Sequence, residues 1–181
     1  SLIQTRIGDG SFGLRFPEQC PDGNGPCGCD EQAFRRVLAA EVPWIEWPLS
    51  PTEAPDTPVI LDLLEFCARA VGEPIQGAYH SFFRHHHLSW DREAGLGRFV
   101  ADVNMLFLRN ALAFELTPAG EACRLLPAPL ADVIGWTLFQ TGDAETDRLL
   151  EAARRRILSP KPEDRKDALE KLWDAFERLK T

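Results

Sequence analysis

The 181-residue chain has no apolar run of the roughly eighteen residues a membrane-crossing helix requires. Nor does it open on a basic stretch followed by an apolar one, so nothing marks it for secretion. It therefore reads as cytoplasmic, with no membrane partner. The phosphate-binding Gly-x4-Gly-Lys-Ser/Thr, the dinucleotide Gly-x-Gly-x-x-Gly and the Gly-x-Ser-x-Gly elbow are all missing. These absences remove the commonest sequence signatures of nucleotide hydrolysis, hydride transfer and serine hydrolysis. Positive charge is also scarce. A net charge of −8 argues against broad binding to nucleic acid or anionic lipid. Residues 1–75 hold 5 basic and 12 acidic side chains, whereas residues 148–181 hold 10 and 7, so an anionic partner is best tolerated toward the C-terminus.

The 44% hydrophobic content is enough for a core. Residues 1–56 form a Cys- and Pro-rich segment in which Pro21-Asp22-Gly23-Asn24-Gly25-Pro26 is turn chemistry, so residues 1–29 read as a loop. Asp30 reads as the cap of a helix over 31–41, and Trp44 and Trp47 read as pins holding the following Pro-rich connection to the core.

Residues 57–158 read as a helical domain. Thr57-Pro58 starts a helix, Ile60, Leu61, Leu64, Cys67, Ala68 and Val71 recur at helical spacing, and Gly72 and Pro74 stop it. Phe99, Val100, Val103, Leu106 and Phe107 predict a helix over about 95–110. A β-hairpin over 112–126 follows, turning at Thr117-Pro118-Ala119-Gly120. Leu130, Val133, Ile134 and Leu138 mark another helix, and Leu149, Leu150, Ala153 and Ile157 the next.

The segment 159–181 carries Leu169, Leu172, Trp173, Phe176 and Leu179 on one stripe without a stop signal. It reads as the start of a helix leading into a C-terminal domain beyond Thr181; a simple helix that frays at its end has the same pattern. The expected class is mainly α, about six helices with one small β-hairpin, winged-helix-like in its central part because a helix precedes the hairpin.

Four constellations carry possible chemistry. Cys20, Cys27 and Cys29 lie within ten residues and fit zinc as thiolates, although Cys-x-Cys is not the usual knuckle and free loop thiols or a disulfide fit equally. His80, His85, His86 and His87 form the second. In an extended chain His85 and His87 point to one side, His86 points away, His80 joins if the chain turns back, and Asp91 offers a carboxylate. Such a set suits zinc or a metal-dependent hydrolase; a surface turn whose imidazoles bond backbone carbonyls is the plain alternative. Arg98, Asp102, Asn104, Arg109 and Asn110 form a polar set in which the asparagines suit anchoring of the hairpin. Arg154, Arg155 and Arg156 complete the list; with Arg98 and Arg109 they are the candidate nucleic-acid contacts of a winged-helix regulator, or else simply complement helix ends.

The stretches Tyr79-His80-Ser81-Phe82-Phe83, His87-Leu88-Ser89-Trp90-Asp91, Phe99–Asn104 and Arg109–Leu116 resemble the N-terminal region of bacterial abortive-infection proteins of the AbiJ type. The ending Ala168–Thr181 resembles the segment leading into their HEPN domain. The resemblance implies a non-catalytic sensor or regulatory module of an anti-phage defence protein whose effector, a metal-independent ribonuclease, lies beyond the chain. Its implied partners are that effector domain, a second copy, and RNA or a phage component, with no cofactor unless zinc. The HEPN motif Arg-x4–6-His maps onto no position, because no histidine follows His87 and no arginine stands at that spacing before any histidine.

Overall fold

A computed structural model describes residues 1–50 and 52–180. Pro51 and Thr181 lie outside the described residues, as do the side chains of Pro129, Asp132, Val133 and Trp136. The expected contribution of Val133 to a helix face and any continuation at Thr181 therefore lie outside them too. The chain divides into two compact units: Ser1–Met105 with Leu116–Glu121, and Leu106–Glu115 with Ala122–Thr181.

The first unit begins with α1 (Leu2–Gly8), started by a capping box. Gln4 N donates to Ser1 Oγ, and the Ser1 amino group donates to Gln4 Oε1 at 3.1 Å. A short 3-10 turn over Ser11–Leu14 leads to β1 (Pro17–Gln19), which pairs antiparallel with β2 (Pro26–Cys29). Next is α2 (Glu31–Glu41), capped where Ala33 N donates to Asp30 Oδ1 at 2.9 Å. After the Pro-rich connection comes α3 (Thr57–Ala70), with Pro58 in its first turn where a missing N–H costs nothing. Then β3 (Glu73–His80) and β4 (His85–Asp91) pair antiparallel, with a bulge between Gln76 and Tyr79.

The long helix α4 (Arg92–Arg109) follows directly. Gly95 is required there: a Cβ would stand 2.3 Å from Glu73 N and from the Gly72 carbonyl carbon, so only glycine lets α4 lie this close to the start of β3. Phe12, Phe34, Phe66 and Phe99 are fully buried. Phe34 packs 5.1 Å from Phe12, 5.5 Å from Phe16 and 5.4 Å from Phe66, ring centre to ring centre. Trp47 joins this stack at 5.7 Å from Phe34, whereas Trp44 is 83% exposed and pins nothing.

Strands β5 (Phe114–Leu116) and β6 (Ala122–Arg124) form a hairpin whose residues are shared between the units. Asn104 holds Leu116 by both backbone groups, donating to Leu116 O at 2.9 Å and accepting from Leu116 N at 2.7 Å. Asn110 instead donates back to Leu106 O within its own helix.

The second unit continues through α5 (Ala128–Trp136), α6 (Ala144–Ile157) and α7 (Pro162–Leu179). The last two pack antiparallel: Arg178, near the end of α7, donates to Asp143 Oδ2, the cap of α6, at 2.7 and 3.0 Å. No helix is long and apolar enough to cross a membrane among the described residues.

The mainly α expectation with one hairpin, winged-helix-like at its centre, is overturned. With 52% helix and 16% strand in three two-stranded antiparallel sheets, the architecture is mixed α/β. A hairpin does follow α4, but β1 to β4 had no place in that scheme. The physical reason is local. β1 (Pro-Glu-Gln) and β2 (Pro-Cys-Gly-Cys) are three and four residues long, and their Pro, Glu and Gly are poor strand formers. β3 contains Pro74 and Gly77, and its bulge breaks the alternation that reveals a strand.

Candidate metal centre

Strand pleating makes the first half of the site. Alternation along β4 sends His85 and His87 to one side. His86 faces away and contacts Gly77 O at 3.0 Å and the Tyr79 ring. His80, the last residue of β3, is the cross-strand partner of His85 and so shares its face. The four-residue turn Ser81–Arg84 between them is closed by Arg84 N donating to His80 O at 2.8 Å.

The turn between β1 and β2 makes the second half. Cys20 N donates to Gly25 O, and Gly23 N to Cys20 O, each at 2.9 Å. Asp22 accepts from Asn24 N and from Asn24 Nδ2, each at 3.0 Å, forming an Asx turn. β2 lies against β4, which carries this turn to the imidazoles. Gly13 permits that approach: a Cβ there would stand 2.3 Å from the Trp90 ring and 2.4 Å from Gly28 O.

The two halves converge. Cys20 Sγ lies 3.2 Å from His85 Nε2. His80 Nε2 lies 3.0 Å from Asp22 Oδ2. Donor atoms of Cys20, His85 and His87 all fall within 4.8 Å of one another, and so do those of Cys20, Asp22 and His80. Cys20 is buried. His87 Nε2 and His80 Nδ1 are buried side-chain nitrogens without a hydrogen-bond partner. Phe83 stacks on His80 at 5.0 Å and on His85 at 6.0 Å, giving the cluster an apolar cover.

Electrostatics follow from this packing. Burial pushes the Cys20 thiol up, and the hydrogen bond to Asp22 adds to it. The Asp22 carboxyl is held well below the usual carboxylate range, first by that thiol, then by the Asn24 backbone and side chain and by the His80 charge. Imidazoles beside a carboxylate and a thiol are a donor set for zinc, a borderline-soft ion that takes nitrogen and sulfur together.

The three-thiol loop set is divided. Cys20 joins the imidazoles, while Cys27 and Cys29 belong to no metal-competent group among the described residues. Burial raises the Cys27 thiol, and burial with the nearby Asp30 and Glu31 pushes Cys29 up to about 12, an inert core thiol. No disulfide joins any of the five cysteines. Asp91 stays out of the cluster because its Oδ1 accepts from Ala94 N and starts α4. Asp22 was missed in the sequence because its Pro-Asp-Gly setting fully accounts for it as a turn residue. The usable signal was its place two residues from Cys20.

Four of the five candidate nucleic-acid arginines are engaged with carboxylates. Arg98 pairs with Glu73 at 2.6 Å in the first unit. In the second, Arg154 binds Glu151 through two nitrogens, Arg155 reaches the same carboxylate at 3.4 Å, and Arg156 pairs with Asp167. Arg109 occupies the last turn of α4, where a cation complements the helix dipole. No protein-family model, curated protein or solved structure matches the chain.

Proposed function

We propose that the N-terminal unit is a zinc-binding module with Cys20, His85 and His87 as protein ligands. The observation that carries this is the convergence of three donor atoms within 4.8 Å from segments 65 residues apart in sequence. Holding three polar groups together beneath an apolar cover costs free energy unless they share a partner. His87 Nε2, buried and unpaired, lacks one within the protein. A zinc ion satisfies all three at once. Metal analysis of the purified protein is the test. About one zinc per chain is expected, lost in Cys20→Ser and His85→Ala and kept in Cys27→Ala. Retention of zinc in both of the first two variants would overturn the reading.

For the wider role, the reading that fits is a non-catalytic sensor or regulatory module of an abortive-infection defence protein. Its support is the sequence resemblance, together with the fact that the resembling stretches Tyr79–Phe83 and His87–Asp91 supply two of the converging imidazoles, His80 and His87. Plaque counts on bacteria expressing the intact gene test it. Protection that His85→Ala abolishes is the expected result; full protection by that variant would separate the metal centre from defence.

A further inference from the structure

Resting on the zinc-binding reading, we infer that His80 is the fourth ligand, through Nδ1, and that Asp22 orients it from behind, which closes the coordination shell and makes the centre structural rather than hydrolytic. Ring geometry is the first support. The centres of His80, His85 and His87 stand 5.7, 5.6 and 5.7 Å apart, a nearly equilateral triangle. Three imidazoles bound to one tetrahedral ion at zinc–nitrogen bond length place their ring centres roughly 5 Å apart. The histidine rings thus surround one point beside Cys20, and closing the shell takes a small shift of His80, whose donor atom groups with those of Cys20 and Asp22 rather than with His85 and His87.

The polarity of His80 is the second support. Its Nε2 faces Asp22 Oδ2 at 3.0 Å, while its Nδ1 is buried with no partner. A ligating histidine characteristically donates its other ring N–H to a carboxylate, which fixes the tautomer and strengthens the ligand. Asp22 suits this task because Asn24 N and Asn24 Nδ2 hold its carboxylate in place with Oδ2 facing His80 Nε2.

Four protein donors leave no position for a water, and a hydrolytic zinc requires one. The metal then acts as a clamp joining the β1–β2 turn to the β3–β4 hairpin, with the turn Ser81–Arg84 bracketed by two ligands.

Cobalt(II) replacing zinc in the full chain tests this, because tetrahedral cobalt with a thiolate gives intense visible bands and a sulfur-to-metal charge-transfer band. The wild type should show both. His80→Ala should weaken and shift these bands, as a water takes the vacated fourth position. Asp22→Asn should keep the tetrahedral spectrum while weakening affinity on the order of 10- to 100-fold. His80→Cys, which restores a donor if His80→Ala fails to fold, should strengthen the charge-transfer band. An unchanged charge-transfer band in His80→Cys, or bands that weaken and shift in Asp22→Asn but not in His80→Ala, would overturn the assignment of His80 and leave zinc binding standing. A wild type that takes up neither cobalt nor zinc would overturn both.

Discussion

The two units bury apolar surface in different ways. In the first, Phe12, Phe16, Phe34 and Phe66 interlock in a stack at most 5% exposed, and short strands laid on that base carry the metal-binding side chains. In the second, α6 and α7 meet through small residues, with Ala153, Ala168 and Ala175 buried. Their larger neighbours Leu169, Trp173 and Leu179 are 56–60% exposed, and an apolar cavity of about 250 Å³ lies among Leu130, Ile134, Leu150, Ile157 and Leu172. Much of the visible polar bonding in the second unit consists of surface ion pairs such as Arg148–Glu145 and Lys180–Glu177, which contribute little individually. Dense aromatic packing can hold donor atoms within tenths of an ångström, as coordination demands. A helix pair with most of its large residues outward has no such precision to offer.

Four substitutions can break or sharpen this contrast. Phe34→Ala, at the centre of the stack, should destabilise the first unit by about 3–5 kcal/mol in urea unfolding, and zinc affinity should fall with it. Ala175→Leu should overpack the α6–α7 contact and cost about 1–3 kcal/mol without changing zinc content. Asp30→Ala removes the cap of α2 and should cost about 1 kcal/mol.

The smallest effect concerns Asp143, whose carboxyl is pulled down to about 2, first by the Thr146 hydroxyl and then by Arg178. Its folded pKa lies below the unfolded value of about 3.9. The stability it supplies is therefore complete above that value and is lost as pH falls toward the folded pKa. Thermal melts should show Asp143→Asn less stable than wild type at neutral pH, with the gap narrowing in acid. An equal gap at both pH values would contradict the assignment.

Periodicity revealed some of this arrangement and long-range contact hid the rest. The helix predicted from Thr57-Pro58 to Gly72 is α3, and the one expected over 31–41 is α2, because the first-turn Pro58, the Asp30 cap and 3.6-residue spacing are local properties; α3 itself has Asp56 at its cap position with no side-chain cap bond. The N-terminal helix escaped notice although Ser1 and Gln4 carry the spacing of a capping box. The shared side of His85 and His87 was legible from strand alternation alone. What brings Cys20 to them is the packing of β2 against β4, and no local pattern encodes that. The two clusters consequently read as rivals for a metal when the fold merges one cysteine of the first with three histidines of the second.

X-ray absorption at the zinc edge of the purified protein tests the central claim most directly. One sulfur at about 2.3 Å and nitrogen neighbours at about 2.0–2.1 Å are predicted. A shell of oxygen and nitrogen alone, or protein free of zinc, would contradict it.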